Sequence, residues 1–123
     1  MILSIDAPFF LFGLSLLLVH ELDAMRCHEW RIFPGLSGLS DRWGLRLFVL
    51  FHVPLLFVLL AAVAAGPEAM VMVVLDLFFI LHLGLHLLFL RHPRNEFRDA
   101  LSWTLIVGPA VSGGIDLLFW ATA

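Results

Sequence analysis

The residues able to do chemistry in this chain are few and bunched. His20-Glu21-Leu22-Asp23-Ala24-Met25-Arg26-Cys27-His28-Glu29-Trp30 places two histidines and three acids within ten residues, directly after an apolar run from Ala7 to Val19. On a helix, His20, Asp23, Ala24 and Cys27 share one face, with Glu21 and His28 on the adjoining one. A second group, His82-Leu-Gly-Leu-His86, sets two imidazoles one turn apart on a common face, a spacing suited to gripping one metal ion. His52 stands alone between them in sequence. Imidazole nitrogens with carboxylate oxygens suit zinc, iron or manganese. The lone cysteine, Cys27, excludes an intrachain disulfide and argues against a thiolate or iron–sulfur site.

Everything around these groups is apolar. Of 123 residues, 62% are hydrophobic and only 14% charged, against about 45–50% and about 25% in a soluble domain. This is the composition of an integral membrane protein of one domain. Lysine is absent and no basic tract occurs, so nucleic-acid binding has no support. The N-terminus lacks the basic region of a signal peptide, and the first hydrophobic run reads as retained. Ionisable groups are expensive inside a bilayer and by default mark a functional site.

Roughly 20 apolar residues cross a hydrocarbon core, and four such stretches fit: residues 7–27, 45–65, 69–90 and 99–121. The predicted fold is all-α, a four-helix transmembrane bundle running up-down-up-down. Pro8 suits a helix start, Ser40 or Asp41 a cap for the second helix, Gly66-Pro67 a tight hairpin, and Asn95 a cap for the fourth, with Glu96 and Asp99 favourable at its N-terminus. Pro54 and Gly108-Pro109 mark kinks. All seven arginines lie in or beside the first and third loops. The positive-inside rule therefore puts those loops in the cytoplasm and both termini outside. Trp30, Phe33, Trp43 and Trp103 read as interfacial anchors, with Arg31 turned towards phosphates; the arginines about His92 read as a solvated loop.

Orientation converts sequence positions into depths. His20 falls ~9 Å inside the cytoplasmic end of its helix, His52 ~10 Å, and His82 and His86 ~12 and ~6 Å. Four histidines from three helices thus share one layer, beside Glu21, Asp23, His28 and Glu29. Against this stands the plain alternative that the histidines bond between helices or reach for the interface. His20-Glu21-Leu22-Asp23-Ala24 begins like the zinc-protease HExxH pattern but has Ala24 where the second histidine belongs. The chain also lacks the HxxHH box of membrane desaturases. Bis-histidine haem ligation between facing helices remains open. Asp76 and Asp116 lie deeper, either bonded to each other as neutral acids or marking a polar path from the outer face. Ser102 and Ser112 read as packing hydroxyls.

The two segments His20–Pro34 and His82–Phe97, with the hydropathy profile, resemble a family of small four-span bacterial membrane proteins of unknown function. That resemblance implies the bundle and a multi-pass place in the bacterial inner membrane. There is a looser similarity to HxxEE-type membrane proteins, which implies metal binding, although Asp23-Ala24 stands where that pattern has paired glutamates.

The expectation is a membrane metal-binding protein, a hydrolase or oxidoreductase acting on a lipid or apolar substrate near the cytoplasmic interface. His20, Asp23, His82 and His86 are the predicted ligands of a divalent zinc, iron or manganese ion. Glu21 is the predicted base, and His52 a proton carrier or fifth ligand. The alternative is an accessory subunit of a larger membrane complex whose histidines ligate haem or a pigment. A third is an ion carrier using Asp76 and Asp116. Membrane lipid is the expected partner, with self-association through Gly113-Gly114.

Overall fold

The computed structural model describes residues 8–65 and 69–123. The first seven residues and the Gly66-Pro67 hairpin lie outside these. The described chain is all-helical: α1 (Pro8–Arg26), a short 3-10 turn η1 (Glu29–Arg31), α2 (Asp41–Ala64), α3 (Ala69–Leu88) and α4 (Ala100–Thr122). All four α-helices are long and apolar enough to cross a membrane. Their order and lengths match the hydropathy pattern. One boundary moves: α2 begins at Asp41 because the Ser40 hydroxyl accepts the Trp43 amide, which caps the helix before its apolar run starts.

α4 is the hub, packed along α1 on one side and α3 on the other. Small residues permit this. A methyl group on Gly108 would stand 2.6 Å from Leu16 Cδ1, and one on Gly113 would stand 3.1 Å from the Asp76 carbonyl oxygen. Gly113, predicted as a contact for another copy, therefore meets α3 of its own chain. At the terminal end of the bundle Phe9 stacks on Phe119, with ring centroids 5.6 Å apart. α2 stands apart. Only its Gly44 and Phe48 are buried, and its close backbone neighbour is η1. Leu59 and Val63 touch the cluster of Phe10, Leu14, Leu17 and Phe79, and His52 at mid-helix bonds Glu21 of α1, so α2 is held at spaced points rather than packed along its length.

The loop end of the bundle is stitched by polar contacts, while Arg91, Arg94 and Arg98 stay exposed as the solvated loop expected about His92. Arg31 grips Asp41 with two bonds, Nε to Oδ1 at 3.0 Å and Nη2 to Oδ2 at 2.6 Å. Trp30 is buried rather than anchored in headgroups. Its indole N–H donates to Asp41, and its ring lies so close to α2 that a Cβ on Gly44 would stand 2.6 Å from it. His28 and Arg31 both reach Glu96, and Arg94 donates to the Ser37 carbonyl, joining the first loop to the third. Asn95 does not cap α4. It braces its own turn, donating to the Leu90 carbonyl and accepting from the Phe97 amide. The cap is Asp99, which accepts the Ser102 amide at 2.8 Å and the Arg26 guanidinium at 3.0 Å; the two bonds hold its carboxyl below the usual carboxylate range.

Candidate metal centre

His20 sits on the face of α1 that α3 and the loop after it cover, and no part of it is exposed. His82 and His86 rise from one face of α3 to meet it. The three imidazoles form a nearly equilateral triangle, with ring centroids 4.7, 4.9 and 4.6 Å apart. Phe97, from the loop before α4, closes the back of the triangle, 5.6 Å from His20 and 4.7 Å from His86.

The fourth corner is Glu29. α1 ends at Arg26, and His28 takes a left-handed conformation (φ 50°), which turns the chain sharply. The 3-10 turn then carries Glu29 back under the bundle, and its Oε1 lies 3.3 Å from His86 Nε2. Burial works to raise the Glu29 pKa. The His86 contact and the neighbouring imidazoles of His20 and His82 outweigh it and keep the carboxyl below its ordinary value.

One donor atom from each of His20, Glu29, His82 and His86 lies within 4.8 Å of the other three. Four ligands each ~2.1 Å from one ion in a tetrahedron stand ~3.4 Å apart, so the donors close the shell by each drawing in by up to about 1 Å. Two further facts point inward. Neither ring nitrogen of His20 has a hydrogen-bond partner, and nor has Nδ1 of His82. Buried polar atoms are normally paired, because leaving one unpaired costs about 1–3 kcal/mol. Buried imidazole nitrogens without partners, gathered beside a carboxylate, have the chemistry of a cation site.

Asp23, predicted beside these histidines, is engaged elsewhere. Its Oδ1 accepts from Arg26 Nε at 2.7 Å and its Oδ2 from the Ser102 hydroxyl at 2.6 Å, with Cys27 Sγ 3.9 Å away. It ties α1 to α4, and all its acceptor capacity points at that seam. Glu29 takes the place expected of it in the cluster. Helical periodicity could not have found Glu29, because it lies beyond the helix and reaches the site only through the turn at His28. Its nearness to the site in sequence was the one available signal.

Glu21 and His52, the predicted base and proton carrier, are brought together. His52 Nε2 lies 2.6 Å from Glu21 Oε2, while His52 Nδ1 donates to the Phe48 carbonyl at 2.7 Å. With Nδ1 carrying a hydrogen, the short contact holds one proton between the two side chains, whichever bears it. This pair and the cluster of Glu29, His82 and His86 line one cavity of about 680 Å³, walled otherwise by Phe51, Leu55, Phe78 and other apolar groups.

Asp76 lies apart from the centre. It is 1% exposed and lies beside Asp116 of α4.

The chain belongs to the Family of unknown function (DUF6713), whose model matches residues 7–123. No curated protein and no solved structure matches it.

Proposed function

For a member of a family without an assigned activity, we propose a membrane-bound, metal-dependent hydrolase acting on an apolar substrate at the arginine-bearing, cytoplasmic end of the bundle. The observation that carries this reading is the convergence of His20, Glu29, His82 and His86 on one point, with both nitrogens of buried His20 lacking partners. Three imidazoles and a carboxylate suit a divalent zinc, iron or manganese ion. The four donors surround a point, whereas haem needs two ligands facing across an open slot, so the crowding favours a bare ion over haem or a pigment.

A metal held by His20, Glu29, His82 and His86 would supply Lewis acidity and acidify water beside it. Glu29, His82 and His86 also line the cavity, so substrate and water reach the cluster from that side. The protein's own contribution is the Glu21–His52 pair. Glu21 accepts the proton of the attacking water, His52 shares it, and the pair returns it to the departing alcohol or amine. Ester plus water gives acid plus alcohol, and no outside reductant or oxidant enters. Oxidation on an iron centre is the alternative chemistry of the same ligands, and elemental analysis distinguishes it.

The test is metal content of the full chain purified in mild detergent. The expected result is about one zinc, iron or manganese per chain, lost in His82→Ala and His86→Ala and retained in Glu21→Gln and His52→Gln. Sub-stoichiometric metal that these substitutions leave unchanged removes the proposal.

A further inference from the structure

The cavity beside the centre has a shape and a place that specify what enters it. α2 touches the rest of the protein through Phe48 near one end, Leu59 and Val63 near the other and the His52–Glu21 bond between, and the sides of α2 and α3 that face each other bound a groove. Its walls come from α2 and α3, helices long and apolar enough to cross a membrane, and from the loop residues Ile32, Phe33, Pro34 and Leu36. The wall residues Phe51, Leu55, Phe78 and Leu85 are 60, 52, 38 and 43% exposed. Phe33, at the loop end of the groove, is half exposed as well.

The groove has three levels. Leu55 and Phe78 lie ~5–6 Å, one helical turn, deeper into the bilayer than His52 and His82 respectively. Glu21, His52, Glu29, His82 and His86 form a polar belt midway. Phe33, Leu36 and Phe89 close the shallow end. A cavity of about 680 Å³ is in the range that encloses a whole small ligand. An aqueous metabolite would meet two apolar walls. A molecule with hydrocarbon on one side of a polar linkage matches all three levels.

The charges narrow the class further. Among the described residues two carboxylates line the groove and no arginine does, although the chain has seven. Arg31 and Arg94 are turned away to Asp41, Glu96 and Ser37. A phosphate next to the scissile bond would have no cationic side chain beside it.

We propose that the substrate is a neutral acyl ester, its hydrocarbon chain lying in the α2–α3 groove past Leu55 and Phe78 and its carbonyl at the level of Glu21 and the histidine cluster. It enters sideways from the bilayer. The chain-binding part stands on the groove alone. The carbonyl part rests on the metal-hydrolase reading above.

The experiment uses the full chain in phosphatidylcholine nanodiscs with a monoacylglycerol carrying a diazirine at mid-chain. After irradiation, labelled peptides are located by mass spectrometry, and metal is measured on the same samples. The expected result is label concentrated severalfold on residues 51–55 and 78–85 over the lipid-facing Leu118 and Phe119, and a severalfold loss on Leu55→Trp with metal unchanged. Label spread evenly over the exposed faces of all four helices overturns the proposal, and the wild-type distribution alone decides this if the variant fails to fold. Equal labelling by a phosphatidic acid bearing the same diazirine overturns the neutral-head selectivity. Groove labelling on a chain that never holds metal keeps the acyl site and removes the hydrolase instead.

Discussion

Replacing His20 with leucine separates a metal ligand from an ordinary core histidine by the sign of its effect. Leucine is close to histidine in volume and brings no polar atom. In the metal-free protein, His20 buries two ring nitrogens without partners, and at about 1–3 kcal/mol each, relieving both is worth about 2–6 kcal/mol. Imperfect packing against His82, His86 and Phe97 takes back up to about 1.5 kcal/mol. The metal-free His20→Leu variant should therefore be at least as stable as the metal-free wild type. The loaded proteins should differ in the opposite direction. Metal at a hundred times its Kd stabilises the wild type by about 2.7 kcal/mol, and the variant, lacking one of four donors, should show little or none of that gain. Thermal unfolding in detergent, with and without added zinc or manganese after chelation, measures all four states. The reasoning fails if metal-free His20→Leu loses the 2–5 kcal/mol typical of a damaged core, or if it keeps the full metal-dependent shift.

Glu29→Gln should lower metal affinity at least tenfold, since even residues that only support a ligand are worth about 10–100-fold. Asp23→Asn should leave metal content unchanged while costing about 1–3 kcal/mol through the bonds from Ser102 and Arg26; elemental analysis and thermal unfolding on the two variants check both halves. Gly44→Ala should destabilise the loop end by about 1–3 kcal/mol, because the new methyl would stand 2.6 Å from Trp30 Cδ1 and the indole must move off its bond to Asp41. An unfolding temperature equal to the wild type's would show that Trp30 has room that the packing denies.

The helices were legible because hydrocarbon imposes a single rule on them. A run of about 20 apolar residues must satisfy its own backbone bonds, so α1 to α4 can be read from composition alone. The meeting of His20 with His82 and His86 was legible for the same reason: fixed helix rise turns sequence distance into depth, and equal depth on neighbouring helices allows contact. Depth does not give azimuth. Asp23 shares the level of the histidines and a helical face with His20, yet its carboxylate goes to Ser102 and Arg26, because α4 carries the hydroxyl that completes it. Glu29 shows the converse. It lies off the end of α1, where helical projection assigns no direction, and the left-handed turn at His28 supplies one. That turn involves no glycine or proline, the residues by which turns are read from sequence. Its neighbours in η1 fix it instead: Trp30 is seated against Gly44 and bonded to Asp41, and Arg31 is clamped to the same carboxylate. The fourth donor of the centre is thus held in place by α2, a helix that contributes no donor to it. Any change that loosens α2 at Gly44 or Asp41 should weaken metal binding as well as the fold, because the contacts that seat Trp30 and Arg31 on α2 also hold Glu29 in the cluster.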